Sequence, residues 1–433
     1  MYKAPLYQAL KALSDKSPLR FSMPGHGGKE SPCIPSLFDA TLDFTELQGT
    51  GNLYEKDTVI AKAESLWAAR MGAANALFLT GGSSQGVRSA LLLAELIGKK
   101  VLFGRNTHLS ADTAMALCDI APIYLQEVSE ITVRDAFVAH PDIAALFVTS
   151  PSYYGVDLKI DALAKLCKQQ GIPLIVDEAH GAHYAFLEGK SSAVKQGASM
   201  GITSLHKTLP AMGQCALMTL AEGISLAAAR RASAAFGTSS PSYVMMAQAD
   251  MLRAALEKDG AKNAQALTLL RQKLRPFGLV PNDDPYRLHI ETAPFGYSGH
   301  TARDFLHEQG ILIELADKNG IVCILSFYHT EKDFRRFFAA LSALYSETRP
   351  PLPLQQMQLT VPPTQVLSPR EVFFAKKSTC PLRYASGCIA GQSIALFPPC
   401  TSLVAPGELL TDEVVAALLT WFPPEEPVLV CVV

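Results

Sequence analysis

The sequence lacks the cysteine patterns of metal-binding and disulfide-rich proteins. Its nine cysteines are odd in number and scattered along the chain, and no two of them form a C-x-x-C pair. We therefore expect neither a zinc ribbon nor a disulfide scaffold, and no metal site. Unpaired cysteines are typical of a reducing compartment, which makes the cytoplasm the expected location.

The sequence also has little net charge and no long apolar run. Acidic residues outnumber basic ones by 40 to 38, a net charge of −2, so the clustered basic surface of a nucleic-acid-binding protein is not expected. No apolar run approaches the roughly 18 residues that a membrane-spanning helix needs. Residues 1–21 contain no continuous apolar stretch of the kind found in secretory signals, so we expect no such signal.

What is present is a long chain that is rich in apolar residues. With 433 residues, 48% of them hydrophobic, it exceeds the size of a single core and should form two or three domains. From about residue 72, short apolar runs alternate with helical patterns, for example at 85–97 and 159–170. This alternation predicts an α/β fold with a parallel sheet that helices cover on both faces. The predicted strands are Ala76–Leu79, Lys100–Phe103, Ile123–Leu125, Ala145–Thr149, Pro173–Val176 and Cys215–Leu220.

The segments on either side of this region are less regular. A helical pattern marked by Leu6, Leu10 and Leu13 precedes a glycine- and proline-rich loop at 23–29. A helical region at 245–275 leads into a mixed segment whose clearest strand is 321–327. A proline-rich stretch at 349–354 is typical of a linker. The predicted units are an N-terminal segment (1–70), a large domain (71–275), a small α+β domain (276–350) and a C-terminal module (363–433).

One candidate site is the turn Thr80-Gly81-Gly82-Ser83-Ser84-Gln85-Gly86, which follows the first predicted strand and opens a helix. Glycines let the backbone approach a ligand closely, and free N–H groups at a helix start suit a phosphate. An ordinary turn between strand and helix explains the same residues equally well. No Lys-Ser/Thr pair follows the last glycine, so the turn is not a Walker A loop.

A second candidate is Asp177-Glu178-Ala179-His180-Gly181-Ala182-His183, at the end of an apolar strand, where open α/β sheets bind ligands. A helicase box is excluded because no Walker A partner exists. Zinc bound by Asp177, His180 and His183 is a second interpretation, although the spacing is not that of an H-E-x-x-H helix. A third interpretation is an acid that faces the ring nitrogen of a cofactor.

The segment Thr203-Ser204-Leu205-His206-Lys207-Thr208 favours the third interpretation. Lysine amines form Schiff bases with carbonyl groups in suitable surroundings. A phosphate-binding turn, an acid at a strand end and a lysine 30 residues later are together what pyridoxal phosphate needs. Lys207 would hold the aldehyde, and Asp177 would keep the ring nitrogen protonated so that the ring accepts electrons.

Two further turns have weaker signals. His108, in Arg105-Asn106-Thr107-His108, could lie flat on a cofactor ring, but a capped turn accounts for it as well. The turn Ser150-Pro151-Ser152-Tyr153-Tyr154-Gly155 could line a site or serve only as a turn.

Taken together, these residues resemble the Orn/Lys/Arg decarboxylase family, and above all its short bacterial members known as arginine decarboxylases. The resemblance spans nearly the whole chain, and the Ser-x-His-Lys and DEAHGAH segments are its most specific parts. The other matching segments are Met23–Lys29, Thr45–Leu47, Gly82–Ser84, Arg105–His108, Thr149–Gly155, Ser204–Pro210, Ser239–Tyr243, Asp284-Pro285, Phe373–Lys377 and Pro406–Glu408.

The resemblance implies an aspartate-aminotransferase-like fold, type I among pyridoxal-phosphate enzymes, with a mainly parallel seven-stranded sheet and smaller α+β domains after it. It implies a decarboxylase that converts arginine, lysine or ornithine into an amine, a polyamine precursor, and carbon dioxide. Lys207, Asp177 and His180 would be catalytic, with His180 on the substrate side and either His180 or Lys207 as proton donor. The implied cofactor contacts are His108 on the ring, Gly82, Ser83, Ser84, Ser204 and His206 at the phosphate, and Ser239 and Ser240 from a neighbouring subunit of a homodimer.

The chain also departs from the family pattern on the substrate side. Leu109 replaces the usual lysine, and Gly391-Gln392 replaces Ala-Glu. The other departures are Thr50–Leu53, Arg383–Ile389 and Pro398–Ser402. With fewer acids for a substrate cation, a different amino-acid substrate or reaction is an alternative hypothesis. A non-catalytic regulatory paralogue is another, against which the retention of Lys207, Asp177 and His108 counts.

Overall fold

A computed structural model describes residues 15–22, 25–27, 29, 43–355, 359, 361–397 and 400–432, without the side chains of 397, 400 and 401. Its centre is a seven-stranded sheet of order β2-β8-β7-β6-β5-β3-β4, in which β8 alone is antiparallel to its neighbours. The strands are β2 (Asn75–Leu79), β3 (Lys100–Gly104), β4 (Ala121–Leu125), β5 (Ile143–Thr149), β6 (Leu174–Asp177), β7 (Met200–Ser204) and β8 (Ala216–Leu220).

Helices cover both faces of this sheet, as the apolar strands require. Two apolar clusters lie on opposite faces, one containing Phe103 and Phe147 and the other Leu146 and Val176. The helices of this region are α1 (Val59–Met71), α2 (Gly82–Leu93), α3 (Leu109–Leu117), α4 (Glu130–Ala139), α5 (Ile160–Gln170), α6 (Leu205–Thr208), α7 (Leu226–Ala235), α8 (Tyr243–Asp259) and α9 (Ala264–Leu274).

Strand register brings several chain segments to one edge of the sheet. Leu79 at the end of β2 and Ser204 at the end of β7 both pair with Ala216. Asp177 at the end of β6 pairs with Thr149 at the end of β5. The turns that follow these strands therefore meet along one edge, where parallel sheets bind their ligands.

The structure confirms the α/β class and the six predicted strands, whose ends differ by at most two residues from the predicted ones. It adds β7, which the sequence analysis missed because Met-Gly-Ile-Thr-Ser is not a continuous apolar run. Gly201 is needed there, since a β-carbon would lie 2.5 Å from Oε1 of the buried Glu178. The predicted helical region 245–275 is two helices, interrupted at Gly260, whose φ is +60°.

Two smaller α/β units follow the large sheet. The first contains β9 (Arg287–Glu291), β10 (Ile311–Ile313), β11 (Leu315–Ala316), β12 (Gly320–Ile324), α10 (Gly299–Glu308) and α11 (Glu331–Leu344), and its β10 pairs with β1 (Leu19–Phe21). The second contains α12 (Pro369–Phe374), β13 (Lys377–Pro381), β14 (Ile394–Phe397), β15 (Cys400–Val404), α13 (Asp412–Leu418) and β16 (Pro427–Cys431). The stretch 349–354 between them has neither helix nor strand.

Some predicted features lie outside the described residues. They are the helical pattern of Leu6, Leu10 and Leu13, part of the loop at 23–29, and Pro398-Pro399. Within the described ranges, no helix combines the length and the apolar character needed to cross a membrane.

Candidate active site

The candidate site is built around Lys207, which lies in the single helical turn α6 directly after β7. The turn is held from outside the sheet, because the Gly25 N–H donates to the His206 carbonyl at 2.6 Å. Close contact is possible only because residue 25 is glycine, since a β-carbon would lie 2.7 Å from the Leu209 oxygen. Gly25 of the N-terminal segment thus packs against the turn that carries the lysine.

His180 is in direct contact with this lysine. Its Nε2 lies 3.3 Å from Lys207 Nζ, and the edge of its ring meets Tyr153 at a centroid distance of 4.9 Å. The side chain is buried, and burial, with the charges of Lys207 and Arg287, holds the pKa of His180 well below its usual value. The imidazole is therefore neutral at ordinary pH.

Asp177 ends β6 three residues before His180 and is buried. Its Oδ1 accepts the Ala179 N–H at 3.1 Å. Burial raises the pKa of Asp177, and the charge of Lys207 opposes that rise. A cationic N–H partner stabilises a buried carboxylate of this kind, and a protonated ring nitrogen of a ligand would be such a partner.

His108 is the N-cap of α3, and its Nδ1 accepts the Ser110 N–H at 3.0 Å. Burial, together with the charges of Lys207 and Arg88, lowers the pKa of His108 to about 4. The ring is therefore neutral and is held in a fixed orientation by its cap. A neutral, fixed imidazole is suited to stacking on a planar ligand.

The predicted phosphate-binding residues gather at the starts of α2 and α6. The start of α2 has no side-chain cap, and Gly82 has a φ of +72°. The Ser204 Oγ is buried with no hydrogen-bond partner among the described residues. Uncapped N–H groups and an unpartnered hydroxyl fit an anion such as phosphate.

Three more predicted ligands differ in how the structure places them. His206 is oriented by its Nδ1, which donates to the Cys215 carbonyl at 3.0 Å. Ser83 and Ser84 are half-buried in the first turn of α2. Ser239 and Ser240 are exposed, in the loop between α7 and α8.

Arg287, the first residue of β9, was not among the predicted site residues. Its side chain is fully buried, and its Nη2 lies 3.1 Å from His180 Nδ1. Its Nε lies 3.8 Å from Asp284 Oδ2. An arginine two residues after the matched Asp284-Pro285 pair was the available signal.

His183 does not join His180 in a metal site. Its Nε2 donates instead to Asp284 Oδ1 at 2.7 Å, in a fully buried pair. Although burial raises the pKa of Asp284, His183 and Arg287 hold it below its usual value. Among the residues that the structure describes, no group of three or more His, Cys, Asp or Glu side chains could hold a metal ion.

Known proteins are similar to this chain in sequence and in fold. A family model described as "Orn/Lys/Arg decarboxylase, major domain" matches residues 4–274. An arginine decarboxylase of Bacillus subtilis is 27% identical over 451 residues, covering 95% of this chain and 92% of its own. The uncharacterized protein YaaO of the same species is 30% identical over 448 residues, covering 96% and 93%.

Among solved structures, the constitutive lysine decarboxylase of Escherichia coli superposes with a TM-score of 0.71. The match covers 86% of this chain and 69% of that one, at 17% sequence identity. This likeness shows the fold, which is that of fold type I pyridoxal-phosphate enzymes.

Proposed function

The chain belongs to the Orn/Lys/Arg decarboxylase family, and from this premise we propose that it is a pyridoxal-phosphate-dependent decarboxylase of arginine, lysine or ornithine. The products would be carbon dioxide and an amine that serves as a polyamine precursor. The observation that carries the proposal is the contact of Lys207 with His180 beside the buried Asp177.

The residues around this contact fit the cofactor. Lys207 would hold its aldehyde, Asp177 its ring nitrogen and His108 one face of its ring. The phosphate would be held by Gly82, Ser83, Ser84, Ser204 and His206. When bound, pyridoxal phosphate supplies an electron sink for the pair left behind when the carboxylate departs.

The described contacts favour one of the two candidate proton donors. His180 is neutral, because its pKa lies well below its usual value through burial and the nearby charges of Lys207 and Arg287. A neutral imidazole is a poor acid, so His180 Nε2 serves to orient the amine 3.3 Å away. We assign delivery of the proton to Lys207 Nζ.

An acidic group adjoins this cluster on the side of Tyr153. The Tyr153 hydroxyl donates to Oε1 of Glu314, and the same tyrosine ring packs against His180. A carboxylate near the site is compatible with a substrate that has a second positive charge, since a desolvated cation requires an anionic partner.

The proposal extends to assembly, domains and location. Ser239 and Ser240 would reach the phosphate of a neighbouring chain in a homodimer, and their exposure supports this. The large domain at 71–275 would bind the cofactor, followed by the small domain at 276–350 and the module at 363–433. The enzyme would act in the cytoplasm.

The test is to supply purified, cofactor-loaded protein with arginine, lysine, ornithine and a panel of neutral amino acids, and to identify amines by mass spectrometry. One basic substrate should give its amine and carbon dioxide. The Lys207→Ala variant should give none, whereas Lys165→Ala, which removes an exposed lysine of α5, should match the parent. Product from neutral amino acids alone would contradict the substrate class, and no product at all would contradict the decarboxylase.

A further inference from the structure

Arg287 contacts His180 from the side opposite Lys207. The guanidinium Nη2 lies 3.1 Å from His180 Nδ1, and Lys207 Nζ lies 3.3 Å from His180 Nε2. The Arg287 side chain has no solvent exposure. The imidazole is therefore held between two basic side chains, one at each ring nitrogen.

The chemistry of the guanidinium fixes where the imidazole proton lies. Arginine stays protonated in proteins and can only donate hydrogen bonds, so Nδ1 of His180 must accept. In a neutral imidazole the other nitrogen then bears the hydrogen. The Nε2–H group of His180 thus faces Lys207 Nζ at 3.3 Å, and it can donate to that amine when the amine is unprotonated.

We propose that Arg287 is a positioning residue that fixes His180 as the neutral Nε2–H tautomer facing Lys207. The consequence for turnover rests on the proposed function, whereas the tautomer itself does not. The groups that face His180 are Lys207, Arg287, the Tyr153 ring, His108 and His183. Without Arg287, none of these would require Nδ1 to accept.

Arg287 lacks most of the hydrogen bonds by which a buried arginine usually stabilises a fold. Its Nε and Nη1 are buried without a hydrogen-bond partner among the described residues, and the Asp284 carboxylate is 3.8 Å away. Nearby Arg271 differs, since its Nη1 lies 2.8 Å from the Arg287 carbonyl and 3.3 Å from that of Pro285. Arg271 therefore braces the backbone of the same turn and serves as a matched control.

The decisive measurement is the ¹⁵N NMR spectrum of the histidines in the cofactor-free protein, with His180 assigned from a His180→Gln variant. We expect the parent to show a protonated Nε2 and an unprotonated Nδ1 at His180. Arg287→Met should give a mixture of tautomers. Arg287→Lys, which keeps a donor-only group, and Arg271→Met should both keep the parent pattern. A parent with the proton on Nδ1, or an unchanged pattern in Arg287→Met, would overturn the proposal.

The cofactor-loaded enzyme gives the second readout. Arg287→Met should lower kcat by about 10²-fold, the lower range for a positioned proton-transfer group, with KM nearly unchanged. Arg287→Lys should recover part of that loss. An altered tautomer with unchanged kcat would overturn the positioning role. If Arg287→Met does not fold, the spectra of the parent and of Arg287→Lys still test the proposal, because a proton on His180 Nδ1 in either protein would contradict it. An inactive parent would refute the decarboxylase and leave the NMR result standing.

Discussion

A buried ion pair joins the turn after β3 to the segment between β15 and α13, and its removal gives the most quantitative prediction. Arg105, in the turn after β3, makes two hydrogen bonds to Glu408, at 2.9 and 2.8 Å. The side chains are only 9% and 2% exposed. Glu408 also accepts the Ala405 N–H at 2.6 Å, and the guanidinium lies 4.7 Å from the Tyr124 ring centroid. The pair is thus desolvated, and both carboxylate oxygens of Glu408 accept hydrogen bonds from the guanidinium.

Removing one partner should cost far more than removing both. A buried charge that loses its partner costs about 3–5 kcal/mol, whereas apolar replacement of a whole buried pair is often neutral. Unfolding entropy scales with chain length, so for 433 residues the shift is about 1 °C per kcal/mol, and Glu408→Leu should lower the melting temperature by about 3–5 °C. The double variant Arg105→Met/Glu408→Leu should recover most of that loss.

The assay is a double-mutant cycle measured by thermal and urea unfolding. The matched control is Arg335→Met, which breaks the exposed pair with Glu331, whose side chains are 65% and 67% exposed. That change should stay within about 1 kcal/mol. If the two single losses simply add in the double variant, or if Glu408→Leu is no worse than the control, the argument from burial is refuted.

Two other predictions concern pH and the N-terminal segment. Burial raises the pKa of Asp112 to about 6, against the hydrogen bond from Ser393, so the folded chain is penalised while the carboxylate is charged. In thermal scans, Asp112→Asn should therefore raise the melting temperature at pH 8, and that gain should vanish as the pH falls through 6 towards 4. An equal gain at pH 8 and pH 4 would contradict a raised Asp112 pKa in the folded chain. Gly25→Ala should displace the turn that carries Lys207 and so lower kcat, measured as amine release, by about 10²-fold. Gly213→Ala should leave kcat unchanged, because a β-carbon at that position meets nothing within 4 Å. Equal effects of the two substitutions would contradict the packing argument.

The placement of Asp177 and Lys207 at one edge of the sheet was predictable from sequence because both residues follow strands. Asp177 and Lys207 come directly after β6 and β7, and strand ends in a parallel sheet converge at one edge. Even the undetected β7 did not obscure this, since Lys207 was identified from its order and spacing after the glycine-rich turn and Asp177. The order of strands and turns along the chain was thus enough to predict that these two residues lie close together.

Contacts between distant segments were not predictable in this way. Arg287 meets His180 across 107 residues of sequence, through a second unit whose placement no local pattern encodes. The zinc interpretation fails for the same reason. His180 and His183 are close in sequence, but the chain turns into a short 3₁₀ helix after Gly181, and the two rings bond to different partners.

Two of the departures from the family pattern, Leu109 and Gln392, lie close together in the structure. Leu109 and Gln392 line one cavity of about 440 Å³ between α3 and the C-terminal module. The family pattern has a lysine and a glutamate at these positions, and losing only one would leave a charge without its counterpart in a partly buried space. Losing both leaves the net charge of the lining unchanged, with Asp112 and Lys377 still present, so the two replacements form a compensated change. Of the described residues, those lining this cavity do not include Lys207, His180 or Arg287, which places the change at the packing of the module against α3.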